Sequence, residues 1–161
     1  MDAARFVAEP PTSITLYTVI NNRSQAGAHS GLMINASERI LFDPAGTWQH
    51  PRIPERNDVH FGITEKIKNF YIDYHARETF RVQEQTIEVS PQVAEMIAAR
   101  AKAYGAVPKA QCANSITSIL AGFMVDRVEL GNYSNFLAVI CLIAMLYIIN
   151  ELAPNLVKAN T

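Results

Sequence analysis

Cys112 and His29 are the residues whose types and positions could do covalent chemistry in this chain. Cys112 opens a stretch with helical character over 111–120, and His29 opens an apolar segment over 28–34 that is typical of a strand. A thiolate attacks carbonyl carbon, and the unpaired N–H groups of a helix N-terminus lower the pKa of a thiol placed there. An imidazole within reach can hold the proton and later deliver it to the leaving group. The pair therefore predicts a cysteine hydrolase or acyltransferase.

Each of these residues also has a non-catalytic interpretation. A cysteine on a core helix often serves as a small buried hydrophobe, and a histidine at a strand edge often bonds only to backbone. Cys112 and His29 carry more weight together, because each lies at the end of its predicted element and Lys109 adds a positive charge near the thiol.

Hydrophobic patterning predicts the elements that would position the pair. The predicted strands cover residues 14–20, 29–35, 40–43 and 80–89. The predicted helices follow Thr64, run from Ser90 and Pro91 to Gly105, and start at Cys112. Residues 47–62 predict a long irregular loop that forms one wall of a cleft. These elements predict the α+β class: a small antiparallel sheet with packed helices over 13–130, preceded by an arm over 1–12.

Length and composition limit the possible functions. A chain of 161 residues suits one domain with a single sizeable core. A formal net charge of −1, with 18% charged residues, predicts no nucleic-acid partner. Cys112 and Cys141 are the only cysteines, so we expect no disulfide framework. The N-terminal residues lack the apolar core of a secretory signal peptide, which leaves the localisation open.

The C-terminal part, residues 131–161, is dominated by the apolar run from Phe136 to Ile149. Its 14 residues fall short of the roughly 20 needed to span a bilayer, which favours a helix buried in the core or in a homo-oligomer. The run also lacks the polar face of a helix that lies on a small domain, so membrane anchoring is the alternative.

The order of these elements resembles the circularly permuted branch of the papain-like superfamily. That branch contains bacterial cell-wall peptidases and amidases of the NlpC type, and relatives of lecithin retinol acyltransferase. The segments that carry the resemblance, Ala28 to Ile34, Ile40 to Gly46 and Gln111 to Ser115, place the histidine before the cysteine. The resemblance covers residues 13–122 and implies a permuted papain-like fold, with a peptidoglycan peptide or another amide or acyl group as substrate. The apolar run departs from the pattern of the family.

The resemblance also implies a third polar residue that orients the imidazole. Counting across the turn at Ser37 places Asp43 opposite Gly31, on the same strand face as His29. Asp43 is therefore the predicted third member, with Glu38 and Asn35 as alternatives. An Asp before Pro and Gly is also an ordinary way to end a strand.

Four residues are predicted to bind substrate: Tyr17, Asn21, Trp48 and Gln111. Tyr17 or Asn21 would join the Cys112 backbone N–H in stabilising the oxyanion. Trp48 lies in the loop that would form the cleft wall, and Gln111 directly precedes the thiol.

Two other functional classes stay open. The chain could be a non-catalytic assembly protein with a papain-like fold, anchored or oligomerised through residues 136–149, or an enzyme that transfers or hydrolyses lipid acyl groups. A metal site formed by His50, Asp58, His60 and His75 has no supporting ligand spacing. The sequence therefore predicts neither a metal ion nor a cofactor.

Overall fold

The structure is a computed structural model that describes residues 5–121, and these residues form an α+β fold. The strands are β1 (Ser13–Asn21), β2 (Gly27–Asn35), β3 (Arg39–Phe42), β4 (Glu55–Arg56), β5 (Val59–Phe61) and β6 (Phe80–Glu88). The helices are α1 (Glu65–His75), α2 (Pro91–Tyr104) and α3 (Cys112–Leu120). The predicted class, an antiparallel sheet with packed helices, is confirmed for this part of the chain.

All six strands belong to one antiparallel sheet in the order β4-β5-β3-β2-β1-β6. In the pairing of β2 with β3, Leu32 lies opposite Phe42. The β1–β2 pairing contains a bulge: Val19 pairs with His29 and Ile20 pairs with Gly27, so Ala28 is the extra residue. A bulge redirects the side chains next to it, and this one directly precedes His29.

Helices cover both faces of the sheet. Alternate strand residues point to opposite sides, so each strand contributes side chains to both layers of packing. On one face, Leu16, Leu32 and Phe42 pack with residues of α2 and α3 in the larger apolar cluster. On the other face, Met33 and Leu41 pack with residues of α1 in the smaller cluster. The sheet therefore lies between α1 and the α2–α3 pair.

Local signals set the helix ends. The Thr64 hydroxyl accepts a hydrogen bond from the Ile67 N–H at 3.3 Å, which caps α1. Ser90 caps α2 in the same way, with Pro91 in the first turn. Gly105 ends α2 with φ +90°, a backbone conformation that favours glycine. The predicted starts of all three helices are confirmed.

The long loop is only partly irregular. Its second half contains β4 and β5, and β5 pairs with β3 inside the sheet. The prediction of irregular structure throughout 47–62 was therefore wrong. The three residues of β5 are buried or half-buried, and a strand this short shows no recognisable alternation of apolar and polar residues in the sequence.

The predicted apolar helix over 131–161 lies outside the described residues, as does the end of the predicted 13–130 domain. Among residues 5–121, no helix combines the length and the apolar character needed to cross a bilayer.

Candidate active site

His29 is the third residue of β2, and its side chain is mostly buried, with 16% exposed. Its Nε2 donates a hydrogen bond to Asp43 Oδ1 over 2.7 Å. Because this bond occupies Nε2, Nδ1 is the ring nitrogen left to interact with the thiol of Cys112. The bulge at Ala28 is the local backbone feature that sets the position of this ring.

Asp43 directly follows β3, next to Phe42, which pairs with Leu32. Strand parity therefore places Asp43 on the sheet face of His29. Its side chain is 1% exposed, and its backbone N–H donates to Asp58 O at 2.8 Å. The Tyr71 hydroxyl donates a second hydrogen bond to Oδ1 at 2.8 Å. Oδ1 therefore accepts from two donors inside the protein.

The charges of His29 and Asp43 stabilise each other. Burial alone would raise the pKa of Asp43, but hydrogen bonds from His29 and Tyr71 lower it below its ordinary value. Burial opposes a charge on His29 as well, yet hydrogen bonding to Asp43 and Cys112 raises the pKa of His29 to about 9. The imidazolium is therefore the stable form of this ring at neutral pH.

Cys112 is the first residue of α3, a helix that packs on β2. The residue is half-buried, and burial would raise the pKa of its thiol. Interaction with His29, followed by the backbone N–H groups of Ser30 and Ala113, outweighs burial and lowers the pKa of Cys112. These groups, rather than the exposed Lys109, make the largest lowering contributions. The arrangement can hold a thiolate–imidazolium pair.

Two residues of α1 complete the site, and neither of them is predicted from the sequence to have this role. Tyr71 is fully buried. Burial first, and then the charge of Asp43 and the hydrogen bond to it, raise the pKa of Tyr71 well above the usual value, so its hydroxyl stays protonated. His75 donates from Nδ1 to Tyr71 O at 2.9 Å. Its ring stacks on that of His29, with centroids 5.3 Å apart and planes at 11°. The four-residue spacing of Tyr71 and His75, which places both on one helix face, was the available signal.

Glycines make room for this packing at two positions. A Cβ on Gly31 would overlap the Tyr71 hydroxyl, and a Cβ on Gly46 would overlap the carboxylate of Asp43. Both glycines are therefore required sterically, because side chains of the site occupy the space that a Cβ would fill.

A cleft of about 250 Å³ opens beside the site and is lined by residues that include His29, Gly46, His75 and Arg77. Cys112, which is half-buried, is not among its lining residues. Burial lowers the pKa of His75, so this second imidazole is neutral at the cleft wall.

The four predicted substrate-binding residues lie in three different settings. Tyr17 is fully buried in the smaller apolar cluster, with its hydroxyl directed at Met33 Sδ, and Trp48 is 4% exposed in the same cluster. Asn21 Oδ1 accepts hydrogen bonds from two N–H groups of the turn after β1. The rings of Tyr17 and Trp48 pack against Tyr71 from within the smaller apolar cluster. Gln111 directly precedes Cys112 and α3, and its Oε1 accepts from Asn114 Nδ2 at 2.8 Å. The structure therefore gives Tyr17 and Trp48 packing roles and Asn21 a turn-forming role.

The alternatives for the third residue have other partners. Glu38 forms an ion pair with Lys102, and Asn35 Nδ2 donates to Pro11 O at 3.0 Å. Neither contacts the imidazole.

The fold does not bring together the four residues that the sequence offered as metal ligands, which are His50, Asp58, His60 and His75. His60 is buried against Trp48, and Asp58 Oδ2 accepts from the backbone N–H groups of Ala45 and Val107. Among the described residues, the one group of three or more side chains with suitable ligand atoms is instead His29, Asp43 and His75.

The fold and site thus define an α+β protein in which a histidine bonds to a buried aspartate and interacts electrostatically with a cysteine at a helix start. No family model matches the chain, and no match is found among curated proteins or among solved structures.

Proposed function

We propose that this protein is a cysteine hydrolase that cleaves an amide bond. Cys112 is the nucleophile, His29 the acid and base, and Asp43 the residue that orients His29. The observation that carries the proposal is the environment of the His29 ring, which bonds to a buried carboxylate through Nε2 and interacts with a thiol at a helix start. A single imidazole thereby couples Asp43 to Cys112.

Acylation begins with attack of the Cys112 thiolate on the carbonyl carbon of the substrate. A C–S bond forms, and the carbonyl π electrons move to oxygen to give a tetrahedral oxyanion. When the oxyanion collapses, the C–N bond breaks and the imidazolium of His29 gives its proton to the leaving amine. The products of this half-reaction are a thioester on Cys112 and a free amine.

Deacylation uses the now neutral His29 as a base. His29 takes a proton from water, and the hydroxide attacks the thioester carbon. Collapse of the second oxyanion breaks the C–S bond, which releases the carboxylic acid and restores the thiolate–imidazolium pair. The Cys112 backbone N–H, at the unpaired end of α3, is the oxyanion donor that this geometry favours.

Asp43 acts through His29 alone. Its hydrogen bond holds the proton on Nε2, so that Nδ1 is the nitrogen that exchanges a proton with the thiol. The carboxylate also favours the imidazolium over the neutral ring, as the acidic residue does in other catalytic triads.

A finer proposal rests on the resemblance: a permuted papain-like domain that acts on peptide bonds of peptidoglycan. The resemblance implies that the histidine strand precedes the cysteine helix, and His29 on β2 and Cys112 on α3 follow that order. Lipid acyl groups are the alternative substrate, since they react with a thiolate by the same steps.

Cys112→Ala and Cys112→Ser test the nucleophile. We expect both to lose nearly all release of new amino groups from purified cell wall. Alanine removes the nucleophile, and the hydroxyl of serine is far harder to ionise than a thiol. Cys141→Ser, which replaces the only other cysteine, is the matched control and should keep full activity. Equal activity in the wild type and both Cys112 variants would remove Cys112 from the mechanism.

A non-catalytic assembly role is the second candidate, and the apolar run over 136–149 favours it because such a run requires a lipid or protein partner. Labelling with a thiol-specific probe at mildly acidic pH separates the two functions. An activated Cys112 reacts under these conditions, and a structural cysteine does not.

A further inference from the structure

His75 brings a second imidazole to the site, and the hydrolytic mechanism does not use it. Its Nδ1 is bonded to Tyr71 O, which leaves Nε2 with a free lone pair. His75 and His29 both line the cleft, and one ligand atom each from His29, Asp43 and His75 lie within 4.8 Å of one another.

The second observation is that the Oδ2 atom of Asp43 is buried without a hydrogen bond from any described residue. Oδ1 accepts two hydrogen bonds, but Oδ2 has no hydrogen-bond partner among residues 5–121 although it is buried. The side chain is 1% exposed, so the protein surrounds a carboxylate oxygen without satisfying it. This oxygen fills the space beside Gly46, a residue that also lines the cleft. A cation is the ligand that would complete it.

We propose that His29, Asp43 and His75 form a Zn²⁺ site that overlaps the Cys112–His29 pair. Two imidazoles and one carboxylate are a common zinc donor set, and in open zinc sites water or a substrate group takes the fourth position. The site also has the outer hydrogen bonds that orient zinc ligands, because His75 donates to a backbone carbonyl and Asp43 accepts from Tyr71.

The distances agree with a site that closes on the ion. Zinc bonds to nitrogen and oxygen are about 2.0 to 2.2 Å long, so ligand atoms around one tetrahedral ion lie roughly 3.4 Å apart. Side-chain rotations that move the three ligand atoms by about 1 Å therefore suffice from the observed separation of at most 4.8 Å.

Zinc and catalysis exclude each other at this site. If Nε2 of His29 binds zinc, the ring loses the Nε2 proton that it donates to Asp43. If Nδ1 binds zinc, the ring loses its interaction with the thiol of Cys112. In either case the imidazole can no longer act as acid or base. Zn²⁺ is therefore a reversible inhibitor, a consequence that rests on the proposed function, whereas metal binding itself does not.

Isothermal titration calorimetry of the full chain with ZnCl₂ tests the site. We expect one Zn²⁺ per chain in the wild type and at least about 100-fold weaker binding in His75→Gln, since loss of an outer partner alone costs 10 to 100-fold. The matched control is His50→Gln, which removes a histidine outside the site and should bind as the wild type does. Circular dichroism verifies that both variants are folded. Equal affinity in wild type and His75→Gln would overturn the proposal.

A second measurement needs no substitution at His75. Saturating Zn²⁺ should protect Cys112 from alkylation, whereas Mg²⁺, which prefers oxygen ligands, should not. Absence of protection by Zn²⁺ would contradict the overlap with the thiol.

Cys112→Ala separates failure of the metal site from failure of the proposed function. Zinc binding that survives in Cys112→Ala and is lost in His75→Gln supports the three-residue site, even if no substrate is ever cleaved. Cleavage of cell wall that Zn²⁺ does not inhibit, together with no detectable zinc binding, would overturn the metal site and leave the hydrolase.

Discussion

Replacement of Tyr71 by Phe removes one hydroxyl and changes nothing else in the shape of the site. That hydroxyl donates to Asp43 Oδ1 at 2.8 Å in a fully buried setting. A hydrogen bond to a charged buried group contributes about 1.5 to 3 kcal/mol. We therefore expect the free energy of unfolding of Tyr71→Phe to fall by that amount at neutral pH. For a chain of this length, the melting temperature falls by about 2 to 4 °C per kcal/mol, or about 3 to 12 °C.

The matched control is Tyr74→Phe, three residues further along α1. The Tyr74 hydroxyl also has a hydrogen bond, to Thr47 Oγ1 at 3.0 Å, but this bond is exposed. Its loss should change the free energy of unfolding by less than about 0.5 kcal/mol. Urea denaturation of the two variants and the wild type measures the difference. Equal destabilisation of the two variants, or none in Tyr71→Phe, would refute the buried hydrogen bond to Asp43.

The effect of Tyr71→Phe also depends on pH with a defined sign. The folded protein lowers the pKa of Asp43 below its ordinary value of 3.8. Ionised Asp43 therefore stabilises the fold above about pH 3.8, and this stabilisation is lost as the pH falls through the lower, folded pKa. Because Tyr71 contributes to the lowering, the stability gap between wild type and Tyr71→Phe should narrow in acid.

Gly46→Ala should displace the Asp43 carboxylate and destabilise the fold by about 1 to 3 kcal/mol, whereas Gly27→Ala, where the nearest atom to a new Cβ is 4.0 Å away, should be tolerated. Equal urea midpoints for the two alanine variants would contradict this packing. Burial lowers the pKa of His60, so the unfolded chain takes up this proton first and the wild type should lose stability as the pH falls below about 6.5. His60→Phe should remove that part of the pH dependence in urea titrations from pH 7 to 5, and an unchanged pH profile would contradict it.

Most of the fold follows from local signals that a sequence displays. Caps such as Thr64 and Ser90 and the alternation in β1 and β2 are visible without tertiary information. The short strands β4 and β5 are not, because their pairing with β3 is a long-range contact and not a local preference. The sequence also does not indicate that β6 returns to pair with β1 at the far edge of the sheet.

The site was predictable where strand register controls it. Parity places Asp43 on the His29 face, and the register of β2 with β3 brings the two together. Tyr71 and His75 reach the site only because α1 packs on that face of the sheet, which no local pattern specifies. Tyr17 looked accessible at a strand surface, but α1 covers that surface and buries it.

The coupling of Cys112 to His29 is the central claim, and the rate of Cys112 alkylation against pH tests it most directly. Peptide mass spectrometry can follow Cys112 separately from Cys141. The wild type should react as a thiolate below the ordinary titration range of cysteine. His29→Ala should shift the curve to higher pH, because burial then acts on the thiol without the imidazolium, while His50→Ala should leave the curve unchanged. Identical curves for wild type and His29→Ala would contradict the coupling and the hydrolase with it.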